Sequence, residues 1–189
     1  METPPRPSHL TAAALAYAGT CVLALAVLPY LEAPLETFQV SHHGGVLRGR
    51  DPVQGVLWGL GLGGGLAAAS QAVTRWTRWG RRLTRLLSRL VGGLHPADAV
   101  LLAALSATAE EIVFRGLLLP YAGLTVSSLA FGAAHLVPRQ GLWPWSLWAV
   151  AAGFALGWVA LATGGLLAPI AAHFAVNAVG LLLLSERSG

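Results

Sequence analysis

Six apolar runs of about 20 residues each leave this chain little choice of fold. They cover Leu10–Leu31, Pro52–Thr74, Ala97–Leu119, Tyr121–Val137, Leu142–Ala162 and Leu166–Leu184, each bounded by proline, glycine or charge. A segment of that length in hydrocarbon must satisfy its own backbone amides and carbonyls, so each run reads as a spanning helix. Pro29 lies near the end of the first run, Pro120 parts the third from the fourth, and Gly164-Gly165 parts the last two. Only 11% of the residues are charged and the mean hydropathy is +0.64, whereas soluble domains carry about 25% charged residues. The expected fold class is therefore all-α: a polytopic membrane helix bundle, one membrane domain over residues 1–189, with about six transmembrane helices plus one interfacial amphipathic helix.

Several features have structural readings. The first run exceeds the roughly 7–15 residues of a signal-peptide core, so a retained helix is expected. Cys21 is the single cysteine and has no internal disulfide partner; Thr20 before it suits lipoprotein cleavage poorly. His42 and His43 are neighbours on a glycine-flanked linker, a pattern of solvated side chains rather than of metal ligands. Gly59 and Gly63, spaced i, i+4, allow a neighbouring helix to approach closely in lipid. They do not form a phosphate loop, since no strand precedes them and no lysine follows.

The basic residues have an unusual distribution. All twelve are arginine, and six of them fall between Arg75 and Arg89. Trp76, Trp79, Leu83, Leu86, Leu87 and Leu90 recur at spacings of three and four, with Arg75, Arg78, Arg82, Arg85 and Arg89 on another face. That pattern is a helix lying in the membrane interface, its indoles at headgroup depth. Its partner is an anionic lipid surface through residues 75–89, not nucleic acid. The positive-inside rule puts this block in the cytoplasm and, with six spans, both termini as well. Arg6, Arg139 and Arg187 then fall inside, and Arg48 and Arg50 outside.

Against this apolar background stand Glu110, Glu111, Arg115, His135, His173 and Asn177. An ionisable group at the bilayer centre costs on the order of 2.5–3.5 kcal/mol on insertion scales and by default marks a functional site. At about 1.5 Å per residue, Glu110 lies ~15 Å from Pro120, His135 ~21 Å from Tyr121, and His173 ~12 Å from Gly165. Three segments thus bring polar groups to similar levels from one side. Glu111 and Arg115 are i, i+4 and neutralise each other, which by itself is a structural pattern. Glu110, rotated by about 100° on the same helix, has no such partner and suits proton acceptance from water. His173 with Asn177, and Phe131 with His135, repeat the i, i+4 spacing.

These residues could hydrolyse an amide. Glu110 and His135 could polarise a water while His173 and Asn177 donate to the oxyanion. The same Glu110, His135 and His173 could instead hold a divalent metal such as zinc, although the H-E-x-x-H signature is absent. Ser106, Thr108, Ser127 and Ser128 fit local hydrogen bonding, and no Asp or His spacing supports a serine nucleophile.

In order, Glu110-Glu111-x-x-x-Arg115, Phe131-x-x-x-His135 and His173-x-x-x-Asn177 resemble the CPBP or Abi family. That family includes the type II CAAX prenyl endopeptidases and bacterial proteins linked to bacteriocin processing and immunity. The resemblance covers roughly Ala97 to Leu184, so residues 97–184 would be the catalytic core and 10–90 the N-terminal helices with the interfacial helix. It implies an intramembrane endopeptidase in which Glu110 and His135 activate water, and His173 and Asn177 stabilise the oxyanion. Glu111, Arg115 and Phe131 would support them. Members are described both as metalloproteases and as metal-independent glutamate proteases; the glutamate chemistry with no cofactor is favoured here, because no dedicated metal-binding spacing is present. The substrate would be a membrane-associated peptide or protein, such as a peptide precursor or a C-terminal sorting tail, in a bacterial cell (inner) membrane. Two readings compete: a non-catalytic scaffold or immunity protein of the same fold, and a proton-coupled transporter, which would ordinarily carry internal repeats.

Overall fold

The computed structural model describes residues 8–27, 51–91, 94–137 and 141–186. The linker with His42, His43, Arg48 and Arg50, together with Arg6, Arg139 and Arg187, lies outside the described residues. Every element is helical: α1 (Ser8–Val27), α2 (Pro52–Trp76), α3 (Arg78–Val91), α4 (Pro96–Glu111), a π-helical segment (Ile112–Leu118), α5 (Leu119–Ala134), α6 (Trp143–Thr163) and α7 (Leu167–Glu186). Among the described residues, four helical stretches are long and apolar enough to cross a membrane, the longest being Pro96–Ala134, which is kinked at Gly123. Leu57, Leu60, Leu101, Leu147 and Trp158 are exposed on the outside of the bundle. A lipid-facing apolar exterior around buried polar groups is the architecture of an integral membrane protein.

Capping sets the helix starts. Asp51 accepts from the Gln54 amide at 3.0 Å, and Pro52 takes the first-turn position, where a missing N–H is harmless. Thr77 divides α2 from α3: its hydroxyl donates to the Val73 carbonyl at 2.7 Å and accepts from the Gly80 amide at 2.9 Å. The amphipathic helix therefore begins at Arg78, and Arg75 and Trp76 end α2 instead of opening α3.

Small residues bring α2 onto α7. Gly55, Gly59, Gly63 and Ala67 form its buried stripe. A Cβ on Gly59 would overlap the Ala168 carbonyl, and one on Gly63 the Ala172 carbonyl. The two backbones are in direct contact, which the glycine spacing foretells.

The corner expected at Pro120 is displaced. Pro120 lies in the first turn of α5, just after the π-helical segment, and the helix continues through it because no N–H is needed there. The chain turns at Gly123 instead, with φ 78° and ψ 170°, a conformation open to glycine. Counted from Gly123, Glu110 and His135 lie about 13 and 12 residues away, or ~18–20 Å, so their depths match better than counting from Pro120 suggested. The fourth segment also ends early, at Ala134, which leaves His135 on the helix terminus with φ −92° and ψ 7°.

Candidate active site

Glu110 is the last residue but one of α4, just before the backbone widens into the π-helical segment. Single π turns inside α-helices are frequent at functional sites. The extra width is tied down from α5, where the Ser127 hydroxyl donates to the Phe114 carbonyl at 2.7 Å. Below it, Glu111 and Arg115 are both fully buried and joined at 2.9 Å. Arg115 also donates to the Gly153 carbonyl of α6 at 3.0 Å and lies 4.4 Å above the Phe131 ring. One guanidinium thereby links α4, α5 and α6.

Glu111 has a second partner that its spacing did not announce. Its Oε1 faces His173 Nδ1 at 2.7 Å. The chain thus converges on Glu111 from Arg115 and His173 at once, and Phe131 fills the space between the imidazoles, with ring centroids 4.5 Å from His135 and 5.6 Å from His173. His135 is held by its own Nδ1, 2.8 Å from the Phe131 carbonyl, and by Trp145, at 5.9 Å between centroids. Its carbonyl, released by the end of α5, accepts from Ser146 at 3.0 Å.

These bonds fix the tautomers. A carbonyl or carboxylate oxygen only accepts, so both Nδ1 atoms carry the proton and both Nε2 atoms present lone pairs when the rings are neutral. Those two lone pairs point at one carboxylate oxygen: Glu110 Oε2 is 3.5 Å from His135 Nε2 and 4.0 Å from His173 Nε2. Among the described residues this buried oxygen has no hydrogen-bond partner. Three acceptors facing a gap require a donor between them, which a water supplies.

A metal ion would answer the same need chemically. Carboxylate and two imidazoles, each with its other nitrogen hydrogen-bonded, are a suitable donor set for zinc. Glu110, His135 and His173, with Oε2 3.5 Å and 4.0 Å from the two Nε2 atoms, are the side chains that would hold such an ion, and it would polarise the water and the scissile carbonyl there. The steps derived below use the side chains alone.

Asn177, one turn beyond His173 on α7, donates one amide hydrogen to Ser106 at 3.1 Å and keeps the other free. Glu110, His135, His173, Asn177 and Ser106 all line one cavity of about 570 Å³. From His173 the cavity runs along α7 as far as Leu184, and Trp79, Leu83 and Leu87 of α3 form its far wall. The apolar face of the amphipathic helix thus lines the site.

Tyr17 of α1 completes the group. It lines the same cavity as Glu110, close enough to interact with its carboxylate. Nothing in the first apolar run relates position 17 to position 110, so sequence spacing could not find it. Trp145 and the Gly153 carbonyl were equally invisible, since neither belongs to a polar pattern.

Residues 92–179 match the family model described as type II CAAX prenyl endopeptidase Rce1-like. Over these residues the chain is similar to that family. A curated relative, the uncharacterized protein YpbD of Bacillus subtilis (strain 168), is 40% identical over 80 residues, which is 42% of this chain and 42% of that protein. No solved structure matches. The Rce1-like segment starts just before α4 and ends within α7, so it contains Glu110, Glu111, Arg115, Phe131, His135, His173 and Asn177. Tyr17, α2 and α3 lie before it.

Proposed function

We propose that this protein is an intramembrane endopeptidase that hydrolyses a peptide bond in a membrane-associated peptide or protein. The observation that carries the reading is Glu110 Oε2, buried without a direct partner, facing two imidazole lone pairs at the head of a polar-ended cavity. The match of residues 92–179 to an endopeptidase family supports it independently.

In the proposed reaction a water sits between Glu110 and His135. Glu110 takes one of its protons as the oxygen attacks the scissile carbonyl carbon. The resulting oxyanion accepts hydrogen bonds from the free Asn177 N–H and from Nε2–H of His173. For this step His173 takes a proton from solvent at Nε2 before the attack and returns it after product release, while its Nδ1–H stays on Glu111, whose carboxylate at 2.7 Å stabilises the cation. On collapse of the tetrahedral intermediate the C–N bond breaks, and Glu110 passes its proton to the departing amine. No metal enters the sequence. We place α3 on the cytoplasmic face, so the substrate would reach the cavity from that leaflet.

The test is cleavage of a membrane-tethered reporter peptide by the purified full chain. Glu110→Gln, His135→Ala and His173→Ala should each remove turnover while the proteins remain folded and expressed. Full proteolysis by Glu110→Gln would overturn the assignment. Proton flux into proteoliposomes that depends on Glu110, without cleavage, would favour a transporter instead.

A further inference from the structure

A second pocket, of about 240 Å³, lies at the corner between α2 and α3 and is lined by Thr74, Arg81, Thr84, Arg85 and Ser88. None of these residues takes part in the proposed hydrolysis. Arg81 and Arg85 are i, i+4 on α3 and share one stripe. The helix carries no acidic residue, and among the described residues neither arginine is in an ion pair with a carboxylate. Two adjacent guanidinium groups in one concavity repel each other unless an anion sits between them.

The corner is organised for such an anion. Arg81 donates one N–H to the Arg75 carbonyl at 2.7 Å, which holds its head at the pocket and leaves its other donors free. The same bond covers a terminal carbonyl of α2 that would otherwise repel negative charge, and the Thr77 amide covers another at Val73. Thr74 and Thr84 hydroxyls are 3.0 Å apart, so whichever accepts within the pair keeps its own hydrogen for a ligand. Gly80 lets the corner close this tightly, since a Cβ there would overlap the Val73 carbonyl.

The neighbouring residues point to the source of the anion. Trp76 and Trp79, 76% and 48% exposed, flank the α2–α3 corner, and exposed indoles on an apolar bundle favour the level of lipid headgroups. We propose that Arg81, Arg85 and the Thr74–Thr84 hydroxyl pair bind the phosphate of one anionic phospholipid, as a discrete site and not as diffuse attraction to the whole arginine block. Thr74 and Thr84 line the catalytic cavity as well, so the bound headgroup forms the outer side of its wall. The proposal does not depend on the protein being a protease.

The test is native mass spectrometry of the full chain released from a neutral detergent and titrated with phosphatidylglycerol. One lipid should saturate first, and Arg81→Gln/Arg85→Gln should weaken it by about tenfold or more, the loss of at least one charge-assisted hydrogen bond. Arg78→Gln/Arg89→Gln removes the same charge from the same helix outside the pocket and should change that first affinity by no more than about twofold. Equal losses in the two double variants would overturn the proposal in favour of general electrostatics. Displacement of the lipid by inorganic phosphate at equal concentration would overturn the assignment to a lipid. All four arginines are exposed, and matching thermal unfolding of the variants confirms that they are folded.

Discussion

Two adjacent carboxylates should respond to mutation in opposite ways. Glu111 is fully buried and accepts from Arg115 at 2.9 Å and from His173 at 2.7 Å. In Glu111→Ala the Arg115 charge stays in the core with only the Gly153 carbonyl and the Phe131 face as partners. Breaking a buried pair from one side costs about 3–5 kcal/mol, most of it the penalty of the charge left behind. Because Arg115 also ties α4, α5 and α6 together, the loss should spread through the core. Glu110 is the reverse case, since its Oε2 has no direct hydrogen bond to lose. Glu110→Gln should therefore keep stability within about 1 kcal/mol, while removal of the general base lowers turnover by about 10²–10⁴-fold. The assay is unfolding in one detergent followed by tryptophan fluorescence, read beside reporter cleavage. A Glu111→Ala protein as stable as the parent would refute the account of the ion pair. A Glu110→Gln protein that unfolds would show that Glu110 is a structural residue.

Other outcomes follow from the same geometry. Gly63→Ala places a Cβ on the Ala172 carbonyl and should destabilise by about 1–3 kcal/mol, whereas Gly64→Ala meets nothing within 4 Å and should be neutral or slightly stabilising; equal effects would refute the close α2–α7 contact. Tyr17→Phe removes the hydroxyl that lines the cavity beside Glu110 and should lower kcat about tenfold with stability unchanged; an unaltered kcat would remove Tyr17 from the site. Cleavage should survive chelators, and loss of activity that zinc restores would refute hydrolysis by side chains alone.

Much of the bundle could be read from apolar run length, because lipid leaves a spanning backbone few alternatives. The Gly59–Gly63 spacing foretold the α2 contact, and the Gly164-Gly165 pair foretold the turn before α7, where Gly164 has φ 70°. Departures from regular helix were not legible. Pro120 looked like the stronger breaker, yet the corner lies at Gly123, because a proline in a first turn loses nothing. The π-helical segment leaves no mark in the apolar pattern at all. Depth matching brought out Glu110, His135 and His173 since charge is costly in lipid, whatever the local backbone does. Tyr17 escaped because a phenol in an apolar helix carries no such penalty.

The same imbalance accounts for the division of roles between Glu110 and Glu111. They are neighbours with the same side chain, and only their surroundings separate them. Glu111 points into the core, where Arg115 fixes its charge and thereby its readiness to hold His173 Nδ1–H. Glu110 points into the cavity, where the Nε2 atoms of His135 and His173 face it and no arginine does. The proposed hydrolysis uses one acid of each kind: Glu110 exchanges protons with water, and Glu111 holds the Nδ1–H of the neighbouring imidazole. The helical step of about 100° between consecutive residues sends the two carboxylates to those two environments.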